Sequence, residues 1–469
     1  MLFNSVAYLF FLPVVVLLYY LIPHKYRWIL LLAASYFFYG YWRIEYLSLI
    51  LLSTGIDYSI SNFLDRSTNS RKRKLALITS ICTNLGILFF FKYFNFFLGE
   101  VVQEVGREEI YWRIGRLYEL SDFLLPVGIS FYTFQTLGYT IDVYYRQTRA
   151  EKHLGKFALF VSYFPQLVAG PIERFSRLMP QLQTHHQFSY ANMASGFRLL
   201  LFGFFIKMVI ADNLSSYVDQ FFNDPDAYDT TDALTGIFFF GFQIYSDFYG
   251  YSLIAIGSAK LLGVDLMDNF KTPYLARSIS EFWQRWHISL STWFRDYLYI
   301  PLGGNRAKLL RWSVNILIVF ILSGLWHGAN WTFIIWGALH GIIYLSEKHF
   351  PFRFSTGNGL FQIVGGIKTF LVVHIAWVFF RANSLDNAQA VLIAPFQSGS
   401  GSNVLAVSDS TWALFFLFLV MDIALQGTRF DKWCENQSTT IRWGTYAVLI
   451  FAIMALAGTV NHPFIYFQF

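Results

Sequence analysis

The sequence predicts an all-α integral membrane fold: a polytopic helical bundle of about eleven spans, with re-entrant and interfacial helices. Three observations predict it. Only 14% of the 469 residues are charged, against about 25% in a typical soluble domain, so the polar coat of a soluble protein is missing. Hydrophobic residues make up 55% and aromatics 20%, and such rings suit the bilayer core and the belts at headgroup level. Finally, apolar runs recur along the whole chain.

A spanning helix needs about 20 apolar residues. Candidate segments are Val6–Ile22, Arg27–Tyr41, Tyr46–Phe63, Leu75–Phe97, Phe123–Tyr144, Leu154–Val168, Ala194–Ile210, Ala233–Leu262, Val314–Leu345, Gly365–Phe380, Trp412–Leu425 and Trp443–Val460. Several are short for a full span and are read as tilted, re-entrant or buried. The segment Met1–Asn4 lacks a basic n-region and Val6–Ile22 lacks a small-residue cleavage site, so the first run is read as a retained helix. Arg66, Arg71, Lys72, Arg73 and Lys74 cluster between the third and fourth runs. By the positive-inside rule this loop is cytoplasmic, which places Met1 outside the cytoplasm and the His24–Arg27 loop inside. Glu100–Leu120 carries charges of mixed sign and is expected to be an external amphipathic piece. Ser398–Ser410, rich in Ser and Gly, is expected to be a loop. No internal repeat appears, and a single membrane domain over 1–469 is the simplest organisation.

The net charge of +6 belongs with cytoplasmic loops facing a lipid bilayer; no long basic face is available for nucleic acid. The two cysteines, Cys82 and Cys434, support neither a disulfide framework nor a metal site. No HExxH, Gly-x-Ser-x-Gly elbow or paired-carboxylate motif is present, so no metal site is expected. Asp265 and Asp268 are a thin candidate for the acidic cluster of a lipid-linked glycosyltransferase.

Two histidine segments stand out. Ser278 and Glu281 form a capping-box pattern, predicting one helix from there to the Pro301-Leu302-Gly303-Gly304 stop. Trp283, Trp286, Leu290, Trp293 and Tyr297 fall on one stripe, with Arg285, Arg295 and Asp296 mainly opposite, the pattern of an interfacial helix. His287 sits at the edge of the aromatic stripe. In the second segment, Val314–Leu345 has no charged residue, and as one helix it is about 48 Å long, too long for the bilayer core. Ser323-Gly324 and Gly328 mark a place to break or bend it, which puts His327 at membrane depth beside irregular backbone. An ionisable group there is a functional candidate by default. Neutral imidazole is a natural general base, able to take a proton from a hydroxyl attacking a thioester. His340 is read as structural.

The segments Glu281–Gly304 and Gly324–Trp331, with Pro126–Gln135, Phe164–Ile172 and Phe379–Ala382, resemble the membrane-bound O-acyltransferase family, in its bacterial branch of alginate O-acetyltransferase membrane subunits. The resemblance runs through nearly the whole chain, with its signature region at 278–345. It implies a helical funnel with a central tunnel between the two membrane faces. It also implies His327 as the catalytic histidine and His287 as the second signature histidine. Trp286, Arg295, Asp296, Trp326, Asn330 and Trp331 are then expected to line or support the tunnel, with Asn330 orienting the His327 ring. The chemistry implied is transfer of an acyl group, most simply acetyl, from a cytoplasmic thioester such as acetyl-CoA, with no permanently bound cofactor. The acceptor is an extracellular polysaccharide such as alginate. An exported or membrane-anchored SGNH/esterase-like acetyltransferase partner and a bacterial inner-membrane location go with it. The same family also includes D-alanyl transfer to teichoic acid and acetyl transfer to peptidoglycan; a transporter of an acylated carrier is the rival from another class. One local departure is Tyr249 and Leu253, where relatives more often carry Ser and Asp; the segment is expected on the acceptor side, so the departure bears on which polysaccharide is acylated.

Overall fold

The computed structural model describes residues 1–97, 126–168, 170–350, 359–397, 403–457 and 463–467. Among them every regular element is helical. The expected amphipathic piece at Glu100–Leu120 lies outside the described residues, as do 398–402 of the expected Ser/Gly loop; 403–408 are non-helical. Among the described residues six helices are long and apolar enough to cross a membrane: Ile44–Arg66, Ser70–Phe96, Tyr190–Asn223, Leu309–His327, Gly359–Arg381 and Thr439–Leu456. The other apolar runs form shorter or less apolar helices, and Leu154–Val168 divides into two short ones around Tyr163. The protein is thus a multi-pass helical membrane protein.

The chain forms two compact units. The first comprises Met1 and Phe10–Phe188, the second Leu2–Leu9 and Ser189–Phe469. The first unit holds most of α1 (Val6–Leu21), then α2 (His24–Gly40), α3 (Leu47–Arg66), α4 (Ser70–Leu88), α5 (Ile129–Tyr144) and α6 (Leu154–Ser162). Its α3–α4 contact is a buried polar cluster. Ser80 Oγ donates to Asp57 Oδ1 at 2.6 Å, and Asn84 Nδ2 to both Asp57 oxygens at 3.0 and 2.9 Å. In a chain surrounded by lipid, interhelical hydrogen bonds of this kind replace the missing hydrophobic drive. Arg73, from the basic loop, is buried and donates to the carbonyls of Leu64 and Tyr144, so it caps the C-terminal ends of α3 and α5, where cations are favoured.

The second unit begins with α7 (Tyr190–Phe204), which continues through a π turn at Phe205–Ala211 into α8 (Asp212–Asn223). Then come α9 (Thr230–Leu261), the short α10 (Ile279–Arg285) and α11 (Ile288–Phe294), α12 (Leu309–His327), α13 (Trp331–His349), α14 (Gly359–Arg381), α15 (Asp409–Ala424) and α16 (Thr439–Leu456). Helices α7 and α9 run antiparallel in very close contact. A Cβ at Gly196 or Gly257 meets the other's carbonyl at 2.9 Å, and Gly203 and Gly250 are paired in the same way. Small residues at matched positions let the backbones approach, which is where membrane helices gain their packing energy.

That antiparallel pairing gives the second unit two chemically distinct ends. Arg198 near the start of α7, Lys260 at the end of α9 and Arg429 share one end, with Arg198 Nε donating to Tyr446 Oη at 2.7 Å at the start of α16. At the other end, Asp219 pairs with Arg381 at 2.6 Å, and Asp232 Oδ2 accepts from the Leu405 N–H at 3.0 Å.

One sequence expectation is overturned. The single helix from Ser278 to Pro301 does not form: the chain breaks at Trp286–His287, where His287 takes φ 42°. The long apolar run is broken at Gly328, one of the glycines expected to break or bend it, into a hairpin, α12 and α13, reversing over Gly328–Asn330. Each arm has 19 residues, about 28 Å. The glycines set the closeness of its arms: a Cβ at Gly324 lies 2.2 Å from the Phe333 carbonyl oxygen, and one at Gly337 lies 2.3 Å from that of Phe320. Neither backbone can yield. Gly324→Ala is therefore expected to destabilise the protein by about 3 kcal/mol, read as a lower midpoint of thermal unfolding in detergent; an unchanged midpoint contradicts this packing.

Candidate active site

His327 is the last residue of α12, at the hairpin tip, and is only 2% exposed. The tip lies at the acidic end of the second unit, because Asn330 Nδ2 donates to the Asn383 carbonyl at 2.9 Å, two residues from Arg381. Aromatic rings wall the imidazole: Trp326 at 4.9 Å, Trp336 at 5.1 Å, Phe380 at 5.2 Å and Tyr466 at 5.4 Å between centroids.

His287 arrives on elements tied to the basic end. Ser278 caps α10, its Oγ accepting from the Glu281 N–H at 3.1 Å, while Glu281 turns back to the Arg277 N–H at 2.8 Å and pairs with Arg285 at 2.6 Å. Trp286 is fully buried and packs on Trp377 at 4.9 Å and Phe270 at 5.0 Å. The next residue adopts the left-handed conformation, which costs a β-substituted residue roughly 1–3 kcal/mol and turns the imidazole inward. His287 cannot cap α11 with its own side chain in that geometry. Asn269, 1% exposed, does so instead. Its backbone carbonyl accepts from the Ile288 N–H at 3.0 Å, and its Oδ1 accepts from the Ser289 N–H at 3.3 Å and Ser289 Oγ at 2.6 Å. Its Nδ2 donates to Ser252 on α9 at 3.2 Å. Asn269→Ala leaves buried donors without acceptors, so a loss of about 1–3 kcal/mol is expected, together with lower activity; wild-type stability contradicts the capping role.

The two histidines face common neighbours. His287 lies 6.0 Å from the Trp326 ring, 6.5 Å from Tyr466 and 4.6 Å from Phe248. Thus Trp326 and Tyr466 touch both imidazoles, one presented from each end of the unit. Tyr466 Oη is buried and meets no hydrogen-bond partner among the described residues, which leaves it able to bond a reacting oxygen. Burial pushes the His287 imidazole, outside the span-length helices, down to about 3, so it is neutral at physiological pH.

The remaining expected site residues divide. Trp286 and Trp326 stand at the histidines. Asn330 does not orient the His327 ring: it caps α13, Oδ1 accepting from the Thr332 N–H at 3.0 Å. Trp331 starts α13 and is 42% exposed. Arg295 and Asp296 pair with each other at 2.7 Å in a π turn, Arg295 being exposed. Asp265 and Asp268 are paired with Lys260 and Arg429, and no group of metal-ligating side chains occurs among the described residues. His340 is buried among Trp283, Trp336 and Trp377, with neither ring nitrogen meeting a hydrogen-bond partner among the described residues.

A narrow cleft opens beside Asn269, lined by Tyr249, Leu253, Asn269, Phe270, Lys271 and Arg429 among others. It lies at the basic end. Tyr249 and Leu253 therefore line that cleft rather than the acidic end where the hairpin tip sits.

The model of the membrane-bound O-acyltransferase family matches residues 145–382, which contain both histidines. The chain is 42% identical to the probable alginate O-acetylase AlgI of Azotobacter vinelandii, over 85% of this chain and 79% of that protein. It is 36% identical to the peptidoglycan O-acetyltransferase of Helicobacter pylori, over 84% and 79%. It is 28% identical to the teichoic acid D-alanyltransferase of Bacillus subtilis, over 56% and 69%.

Proposed function

The chain belongs to the membrane-bound O-acyltransferase family, and from that premise we propose that it transfers an acetyl group at the His287–His327 site for O-acetylation of an extracellular polysaccharide of the alginate type. It is a membrane-bound O-acyltransferase, and the alginate O-acetylases at about 41% identity over most of its length make O-acetyl transfer to a polysaccharide its activity. The observation that carries the residue assignment is the meeting of two imidazoles, from elements at opposite ends of one unit, on shared Trp326 and Tyr466 rings.

The donor is an acyl thioester, acetyl-CoA in this proposal. It enters at the basic end, where Arg198, Lys260, Lys271 and Arg429 fit a cytoplasmic face by the positive-inside rule and where the cleft reaches Asn269, which bonds the backbone just after His287. Asn4 lies beside Tyr251, and Tyr8 beside Ser258 nearer the end of α9. The chain thus runs from Asn4 to Tyr8 toward the basic end, and an extracytoplasmic N-terminus in a bacterial inner membrane goes with this reading. His327 acts as general base. It takes the proton of the acceptor hydroxyl as that oxygen attacks the thioester carbonyl; the C–S bond breaks and the proton passes to the departing thiolate. His287, neutral, positions the donor or assists that proton. The aromatic walls exclude water and limit hydrolysis of the thioester. An SGNH/esterase-like partner outside the membrane completes delivery to the polymer.

The likeness to a peptidoglycan O-acetyltransferase over 84% of the chain supports peptidoglycan as the second acceptor to test. Mass spectrometry of surface glycans from the host with and without the gene separates them. Loss of acetyl esters from an exported polysaccharide supports the proposal; loss from muropeptides alone assigns the other acceptor; unchanged acetylation of both overturns it.

A further inference from the structure

An ionic trio lies buried in the second unit, outside the histidine pair. Lys207 Nζ, 1% exposed, pairs with Asp212 Oδ1 at 2.7 Å and with Asp247 Oδ1 at 2.7 Å. It stands in the π turn that interrupts the span Tyr190–Asn223, and such turns recur at functional sites. A buried ion set contributes little net stability, and ionisable groups inside a span mark function more often than packing.

The second oxygen of Asp247 shows what the trio holds. Oδ2 accepts from the Ile465 N–H at 2.7 Å, at the first residue of the short turn Ile465–Phe467. Helix α9 grips the same turn through rings: Tyr251 lies 4.7 Å from Phe464, and Phe248 lies 4.7 Å from Tyr466 while also 4.6 Å from His287. Tyr466 then meets both histidines. One helix turn of α9 therefore fixes the tyrosine and the second histidine together.

We infer that Asp247, with its charge balanced by Lys207, is a positioning residue that anchors the Ile465–Phe467 turn and so sets Tyr466 against the two imidazoles. The inference rests on the reading of that pair as the catalytic site. A carboxylate is suited to the task because it has acceptor oxygens for both the ammonium and the backbone N–H. Asparagine offers one oxygen and no charge.

The test uses the full-length protein in detergent, with Cys82→Ser and Cys434→Ser removing the native thiols and Phe467→Cys as a reporter of the turn. Asp247→Asn is expected to raise the rate of maleimide labelling about tenfold through local opening. It should lower kcat for acetyl transfer about 10- to 100-fold, as misplacement near the chemistry does, with donor KM changed less than twofold. Ile465→Pro removes the anchored N–H at a helix-start position where proline fits, together with the buried isoleucine side chain, leaves Lys207, Asp212 and Asp247 in place, and should reproduce both effects. Ile465→Ala, which keeps the N–H, should retain activity and protection. Ile465→Pro with parental labelling and activity overturns the inference. So does opened labelling with full kcat, or lost kcat with unchanged labelling. If the parent has no acetyltransferase activity yet the labelling pattern holds, it is the functional reading that fails and not the anchor.

Discussion

His327→Gln is expected to lower acetyl transfer to a hydroxyl acceptor by about 10²–10⁴-fold, the usual contribution of a positioned general base, with the protein folded and its donor KM nearly unchanged. Glutamine keeps polar bulk at the end of α12 but cannot accept and return a proton near neutral pH. His327→Ala should lose at least as much activity and also some stability, since the ring fills a pocket among Trp326, Trp336, Phe380 and Tyr466. Steady-state transfer with labelled acetyl thioester reads the effect. Activity of His327→Gln within threefold of wild type removes the base assignment.

His287→Asn separates the imidazole from the backbone it sits on. His287 holds φ 42°, a region that asparagine tolerates far better than alanine. His287→Asn should therefore fold like wild type and lose about 10²-fold in kcat, whereas His287→Ala should lose activity and also destabilise the protein by about 1 kcal/mol. Its pH behaviour follows from burial. The folded imidazole is held at about 3 against an ordinary 6.5, so below about 6.5 the unfolded chain binds a proton that the folded chain does not. Stability then falls as pH drops from about 6.5 toward about 3, and His287→Asn should flatten that part of the curve. An equal pH slope in the variant contradicts a neutral His287.

Much of this site is legible in the sequence. Low charge and repeated apolar runs give the membrane fold, and the two Trp-His segments mark the residues that the structure brings onto shared rings. The Ser278 cap is also readable from its spacing. The errors share a cause: local pattern is silent on tertiary partners. Gly324 and Gly328 announce a break or bend, but not that two hairpin arms approach closely through them. Asn330 carries the ordinary signal of a helix start, which points to the cap it makes rather than to the ring of His327. Nothing local predicts a left-handed His287, because Asn269, from a separate loop, satisfies the helix start beyond it. Tyr466 lies far along the chain from both histidines and in no periodic segment, so its place beside them depends on a single carboxylate, Asp247, on α9.

The central claim is that a donor from the basic face and an acceptor from the acidic face react at one point. Sealed proteoliposomes with the purified protein in known orientation measure it, with labelled acetyl-CoA on one side and a soluble hydroxyl acceptor on the other. Label should reach the acceptor only when the donor is on the side of Lys260 and Arg429 and should vanish with His327→Gln. Equal transfer from either side, or transfer only with donor at the Asp219 side, contradicts the account.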